Sequence, residues 1–301
     1  MPANFPEIWL KRVQTKISQS EKADFLDGID ELDVPVTVIN EGQVTEQNKI
    51  YVPETEFEVD VLINNSAYPI PVQQYSDGTI EITLDKLQTK VVSVSDDKVL
   101  GASYKVIDSA TKAIVRSLVK TKHKKAAYSI GPAGETADTP ILEATGEARP
   151  DGRKTLTYED LVNLKEQLDK LDWPLDGRRL VLQPEHWNDL LRDRKNFGDQ
   201  LVSYAKGKPM PVVLGFEMTY FPVMPIYNSN KQKKAYGAIK ESGDRVGSVA
   251  FVIDKIAKKT GFTRQYFLPA TQNPRVQANE LAYRHYYIVT PYKNKFIAAI
   301  I

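Results

Sequence analysis

The sequence predicts an α+β fold with a mixed sheet, and three observations carry that prediction. A region of period-two alternation precedes residue 96, one long amphipathic helix follows it, and helix and strand signals alternate beyond residue 157. At 301 residues the chain exceeds the usual single-core domain, so one large irregular domain or two smaller ones fit. Hydrophobic residues make up 42% and charged residues 26%, the balance of a chain that folds. Lys plus Arg (40) nearly cancel Asp plus Glu (39), and the net charge of +1 gives no global pull toward nucleic acid or anionic lipid. Any contact with nucleic acid must therefore be local. Cysteine is absent, which excludes a disulfide framework, cysteine zinc sites and thiol nucleophiles, and fits a reducing cytoplasm.

The elements follow in chain order. Residues 1–33 mix an amphipathic start (Phe5, Ile8, Trp9, Val13, Ile17) with a polar, acidic run ending at Asp33, too little apolar surface for a core. They read as an arm that gains order by lying on something else. Pro2, Pro6 and Glu7 interrupt the first ten residues, so no secretory signal is expected there, and no stretch approaches the roughly 20 apolar residues of a membrane span. From Val34 to Val94 strands are expected. Phe57, Val59, Val61 and Ile63 alternate with Glu56, Glu58 and Asp60, Ile80, Ile82 and Leu84 repeat the pattern, and Asp77-Gly78 supplies a tight-turn dipeptide between the two runs. The region 34–96 thus reads as a long antiparallel excursion that needs a partner surface.

Leu100, Tyr104, Ile107, Ala110, Ile114 and Leu118 fall on one stripe of a helix expected from Asp97 to Lys125, on the order of 40 Å long at 1.5 Å per residue. Lys120, Lys122, Lys124 and Lys125 fall in its last turns, where cations complement the helix dipole. Gly131-Pro132-Ala133-Gly134 reads as a flexible connection and a boundary. Thr157 is positioned to cap a helix carrying Leu161, Leu164, Leu168 and Leu171, which Pro174 stops. A buried strand is expected at Arg179 to Leu182, and a helix opening at Pro184 and burying Trp187, Leu190 and Leu191. Further strands are expected at 211–214, 218–222, 248–253 and 282–290.

Chemistry is hard to find. Gly131 to Thr136 lacks the lysine of a phosphate-binding loop, no serine sits in a Gly-x-Ser-x-Gly elbow, and His123, His186 and His285 form no paired metal motif. His186 reads as a partly exposed helix residue. No catalytic residue, metal or cofactor is expected. The lysines at 120, 122, 124 and 125 form a candidate genome-facing basic patch that neutralises phosphates without reading sequence, with a solvated helix end as the plainer alternative. Lys231, Lys233 and Lys234 are expected on an exposed loop beside Asn228, Ser229 and Asn230.

The order of parts resembles the Hong Kong 97-type fold of tailed-bacteriophage major capsid proteins. The stretches Phe5-Pro6-Glu7-Ile8-Trp9, Val52 to Phe57 with Asp60 to Asn65, and Asp176 to Leu182 followed by Pro184 are similar to phage capsid sequences. The resemblance implies an N-terminal arm (1–33), an extended hairpin or E-loop (34–96), the spine helix of a peripheral domain (97–135), an axial domain (136–270) and C-terminal strands returning to the core (271–301). It implies assembly into hexamers, pentamers and a whole shell around non-specifically packaged double-stranded DNA in the bacterial cytoplasm, with no membrane partner. On that reading Phe5, Ile8, Trp9, Phe57, Val59, Val61, Asp77 and Gly78 are the intersubunit contact candidates. Only about forty residues precede the excursion, so a separate scaffolding protein is expected beside a portal. Two rivals predict other things: an encapsulin-type compartment carries a protein cargo, and a cytosolic enzyme with an oligomerisation arm shows converging titratable groups in a pocket.

Overall fold

The computed structural model describes residues 13–15, 17, 23–41, 43, 45–54, 60–66, 68–73, 78–95, 104–150, 152–193, 202–203, 208–209 and 212–301. The strands run in the order β1 (Thr37–Ile39), β2 (Gln47–Glu54), β3 (Gly78–Thr83), β4 (Asp85–Gln88), β5 (Val92–Ser95), β6 (Ile141–Leu142), β7 (Arg178–Leu182), β8 (Val202–Ser203) and β9 (Lys208–Pro209). They continue as β10 (Val212–Val213), β11 (Phe216–Tyr220), β12 (Ile226–Tyr227), β13 (Arg245–Val246), β14 (Ser248–Val252), β15 (Ile256–Leu268), β16 (Ala278–Pro291) and β17 (Ile297–Ile300). Helices span Tyr104–Ile130, Tyr158–Lys170 and Pro184–Arg192.

A mixed six-stranded sheet, ordered β10-β11-β7-β14-β17-β6, forms one half of the molecule. Its central strands β7, β14 and β17 are buried at every position, because both faces are covered. On one face Leu180, Leu182, Ala250 and Val252 meet Leu161, Leu164 and Leu168 of the second helix and Trp187 and Leu190 of the third. On the other, Val181, Val249, Phe251 and Ile297 meet Ala126, Ala127 and Ile130 at the end of the long helix, together with Phe25, Leu26 and Ile29. The Tyr158–Lys170 helix starts where expected. Thr157 and Asp160 form a reciprocal capping box, and the Asp160 carboxylate also accepts from Thr145.

The other half is a four-stranded antiparallel sheet in which β15 and β16 pair along most of their length and β4 and β5 add to the far edge of β16. Alternation along β16 divides its side chains between two layers. Leu281 and Tyr283 point to Ile114, Val115, Leu118 and Val119 of the long helix, and Tyr287 and Val289 join the core at its end. Tyr286 and Ile288 point the opposite way, to Ile50, Ile82 and Leu84 at the root of the three-stranded β1-β2-β3 sheet. The long helix therefore bridges both cores on one face, and the hairpin is rooted on the other.

Several expectations need correction. The long helix runs to Ile130, so Lys124 and Lys125 precede its last turn. Lys233, expected on an exposed loop, donates from its ammonium to the carbonyls of Tyr128 (3.1 Å) and Gly131 and so closes the helix C-terminus. Gly131 is buried rather than part of a loose connection: a Cβ there would lie 2.9 Å from Pro225 and from the Tyr227 hydroxyl. Gly78 pairs with Glu54 within the β2–β3 ladder, so it belongs to a strand, and residues 55–77 stand between the paired strands in sequence. His186 is buried, not partly exposed. Strand β15 was not anticipated at all.

Candidate functional site

Two surfaces stand out, one on each side of the four-stranded sheet. The first lies beyond β2 and β3. There Val61 is 82% exposed, Ile63 84%, Tyr68 78% and Val72 90%, with Leu62 and Ile70 also in solvent. The Asp60 amide donates to the Gln73 side-chain oxygen (2.9 Å), which ties the two limbs of this excursion together. Its root is clamped. Ile50 is fully buried against β15 and β16, and the buried Glu46 carboxylate accepts from the Tyr286 hydroxyl (2.8 Å) and faces Arg284 (3.4 Å) and Arg264 (3.7 Å). Gly261 makes this approach possible, since a Cβ there would sit 2.7 Å from Tyr286 Cβ and 3.0 Å from Leu84.

Of the residues singled out for contact, Val61 lies on this exposed surface and Gly78 heads β3, whereas Phe5, Ile8, Trp9, Phe57, Val59 and Asp77 lie outside the described residues. Sequence reasoning did not single out Leu62, Tyr68, Ile70 and Val72. Their signal was an apolar run in a stretch too rich in Asn and Pro to promise a core.

The second surface is the long helix. The four lysines expected to make one patch do not share a face. Lys122 is 2% exposed, and its ammonium sits 3.7 Å from the centre of the Tyr287 ring, so it cannot meet a partner in solvent. Lys125 is half-buried, 3.7 Å from Asp85 and above the rings of Tyr128 and Tyr236. Lys120 is exposed and Lys124 partly so, and they continue a row that begins at Lys112 and Arg116. A shallow groove runs beside this row, between Val115 and Val119 on the helix and Phe221, Pro222 and Val223.

Buried titratable groups sit inside the cores. The His186 ring nitrogen Nδ1 is 2.8 Å from the Ser248 hydroxyl, which also accepts from the Gln183 amide. Asp189, whose charge acts on His186, is committed to the Arg153 guanidinium and the Leu156 amide. Burial pushes His186 down to about 4, and burial aided by the Lys122 charge does the same to His285, which pairs with Thr263 (2.9 Å). The histidine–serine pair is sealed from solvent and serves packing. Among the described residues no group of three or more His, Asp or Glu side chains is placed to hold a metal ion, and no helix is long and apolar enough to cross a membrane.

No family profile and no curated protein matches the sequence. Solved structures do match. The capsid of cyanophage P-SCSP1u superposes with a TM-score of 0.59 at 14% identity, over 93% of this chain and 91% of that one. The capsid of Ralstonia phage GP4 gives 0.58 at 8% identity, over 84% and 82%. A virus-like particle from Pyrococcus furiosus gives 0.54 at 13% identity, over 98% of both chains. At such identities the agreement lies in architecture alone, and it spans nearly the whole chain: the chain has the fold of these phage capsids and of the virus-like particle.

Proposed function

We propose that this chain is a major capsid protein that assembles with copies of itself, as hexamers and pentamers, into an icosahedral shell enclosing the double-stranded DNA of a tailed phage. On this reading the architecture is of the Hong Kong 97 type. Residues 1–33 serve as the arm, 34–96 as the E-loop, 97–135 as the spine, 136–270 as the axial domain and 271–301 as the returning strands. A separate scaffolding protein and a portal are its assembly partners, and assembly takes place in the host cytoplasm.

The observation that carries this reading is the apolar excursion. Six large hydrophobic side chains between Val61 and Val72 stand in solvent although the same chain fills two cores elsewhere. Burying such groups against a neighbour yields about 25 cal/mol for each Å² removed from water. A subunit that both offers and receives such an arm gains many weak contacts at once, and a closed shell follows from their sum. An encapsulin-type compartment is the second reading, favoured by the match to the Pyrococcus furiosus particle over the full length of both chains.

The test is a triple variant, Val61→Asp, Ile63→Asp and Val72→Asp, compared with wild type by sedimentation and negative-stain electron microscopy. Produced together with the scaffolding protein, wild type should form icosahedral particles, and the variant should stay a folded, unassembled subunit with an unchanged urea midpoint. Particles from the variant would remove the excursion from the assembly mechanism. Protein cargo in place of DNA in native particles would favour the compartment.

A further inference from the structure

The near-neutral net charge hides a local concentration of positive charge. The β15–β16 sheet has the long helix on one face and the hairpin root on the other. On the hairpin side the described carboxylates Glu41, Asp60 and Glu81 reach solvent, with Glu41 paired to Arg264 and Glu81 to Lys49, while Asp85 lies beside Lys125 of the helix. On the helix side, no carboxylate side chain occurs between Asp108 and Glu135, while six Lys and Arg residues do.

The structure sorts the six cations. Lys122 is buried and Lys125 is beside Asp85, but Lys112, Arg116, Lys120 and Lys124 reach solvent, and none of them forms an ion pair with any described residue. They recur every four positions, a step of about 6 Å along the helix axis, so the row extends roughly 18 Å. That length matches about five phosphates of one strand of a duplex at 3.4 Å each. Cations held on a rigid helix and not already neutralised by carboxylates are what a polyanion of regular charge spacing recruits, with release of its counterions.

Building on the shell reading, we infer that the row Lys112, Arg116, Lys120 and Lys124 is a sequence-independent binding site for the phosphate backbone of double-stranded DNA, and that this helix face lines the shell interior. The row draws on no base contacts, so it holds any duplex. With only four charges it holds each one weakly, which leaves the packaged molecule free to leave.

The test uses the full chain in two states. The unassembled subunit is titrated with a fluorescent 20-bp duplex at 50 to 200 mM salt, and assembled particles are assayed for DNA by absorbance ratio. Four phosphate contacts give a slope of log K against log salt of about −3.6, a loss on the order of a hundredfold over that range. Replacing the four residues with Gln should flatten the slope and lower the DNA content of particles, and each single replacement should remove about one from the slope. Neutralising Lys154, Lys240 and Lys295, which are exposed elsewhere, should change neither. A four-residue variant that keeps the wild-type slope or packages a full complement overturns the site. So does one that binds DNA normally but no longer assembles, which would assign the adjacent groove to a protein segment. If wild type binds DNA through the row and forms no particles even when produced together with the scaffolding protein, the shell reading fails and the site stands. Should the fourfold variant misfold, the single replacements decide.

Discussion

Four lysines within six positions, residues 120 to 125, look alike in sequence and meet different fates in the fold. Lys120 and Lys124 face solvent, Lys125 leans on Asp85, and Lys122 is buried over Tyr287. Helical period alone places Lys122 away from Lys120 and Lys124, but only the packing of β16 against the helix shows that its side is interior. The i, i+4 row from Lys112 is legible in the sequence as a single helical stripe, less conspicuous than the denser cluster that follows it. Buried polar residues were the least legible of all. Nothing local marks His186 and His285 as core, because their partners Ser248 and Thr263 lie 62 and 22 positions away in sequence. Both histidines titrate near 4 in the folded state against about 6.5 when unfolded, so protonation favours the unfolded chain. Their contribution is fully present above about pH 6.5 and is lost as pH falls toward 4, at up to about 1.4 kcal/mol per pH unit for each. The carboxylates held low by partners, Asp169, Asp189 and Asp244, withdraw their support only at more acid pH. The urea midpoint of the unassembled subunit should therefore fall steadily between pH 6.5 and 4.5. A flat midpoint over that interval would remove the histidines as the cause.

Elements with strong local signals emerged near their expected places. The Thr157 cap, the Leu161-Leu164-Leu168 stripe and proline at the first position of the Pro184–Arg192 helix each carry their own instruction. Strand β15 carries none. Its run of Ile256-Ala257-Lys258-Lys259-Thr260-Gly261 lacks clean alternation, and the pairing shifts register between Thr260 and Thr263. Much of its instruction comes from β16 alongside and the hairpin root above, a contact no single-strand pattern reveals. Gly261 is where these meet, and Gly261→Val should push Tyr286 and Leu84 apart at a cost of about 1–3 kcal/mol. Hydrogen exchange should locate the damage, with β2 and β3 losing protection while β7 and β14 keep theirs. Equal loss in both sheets, or none, would contradict a clamp confined to the hairpin root.

At the scale of the molecule, one continuous helix stiffens two cores while the hairpin projects from the opposite side, a geometry suited to tiling. Neighbours in a shell present like faces side by side, so the basic rows of adjacent subunits work against lateral association until they are screened. Light-scattering assembly of DNA-free subunits should accelerate between about 0.1 and 1 M salt, as the Debye length shrinks from about 10 to 3 Å. Slower assembly at high salt would show instead that acid–base pairs across the interface dominate. The architecture of the six-stranded sheet has a further consequence, in time rather than space. Its neighbours are remote along the chain: Val181 pairs with Val249, Val249 with Ala299, and Ala299 with Ile141. The hairpin ladder between Val52 and Ile80 closes over a far shorter loop. Contacts of short reach form first and those of long reach form late. During maturation of each new subunit, the adhesive arm is thus on display before the body that must aim it exists, and the rate of closing the central sheet governs how many chains are lost to premature encounters.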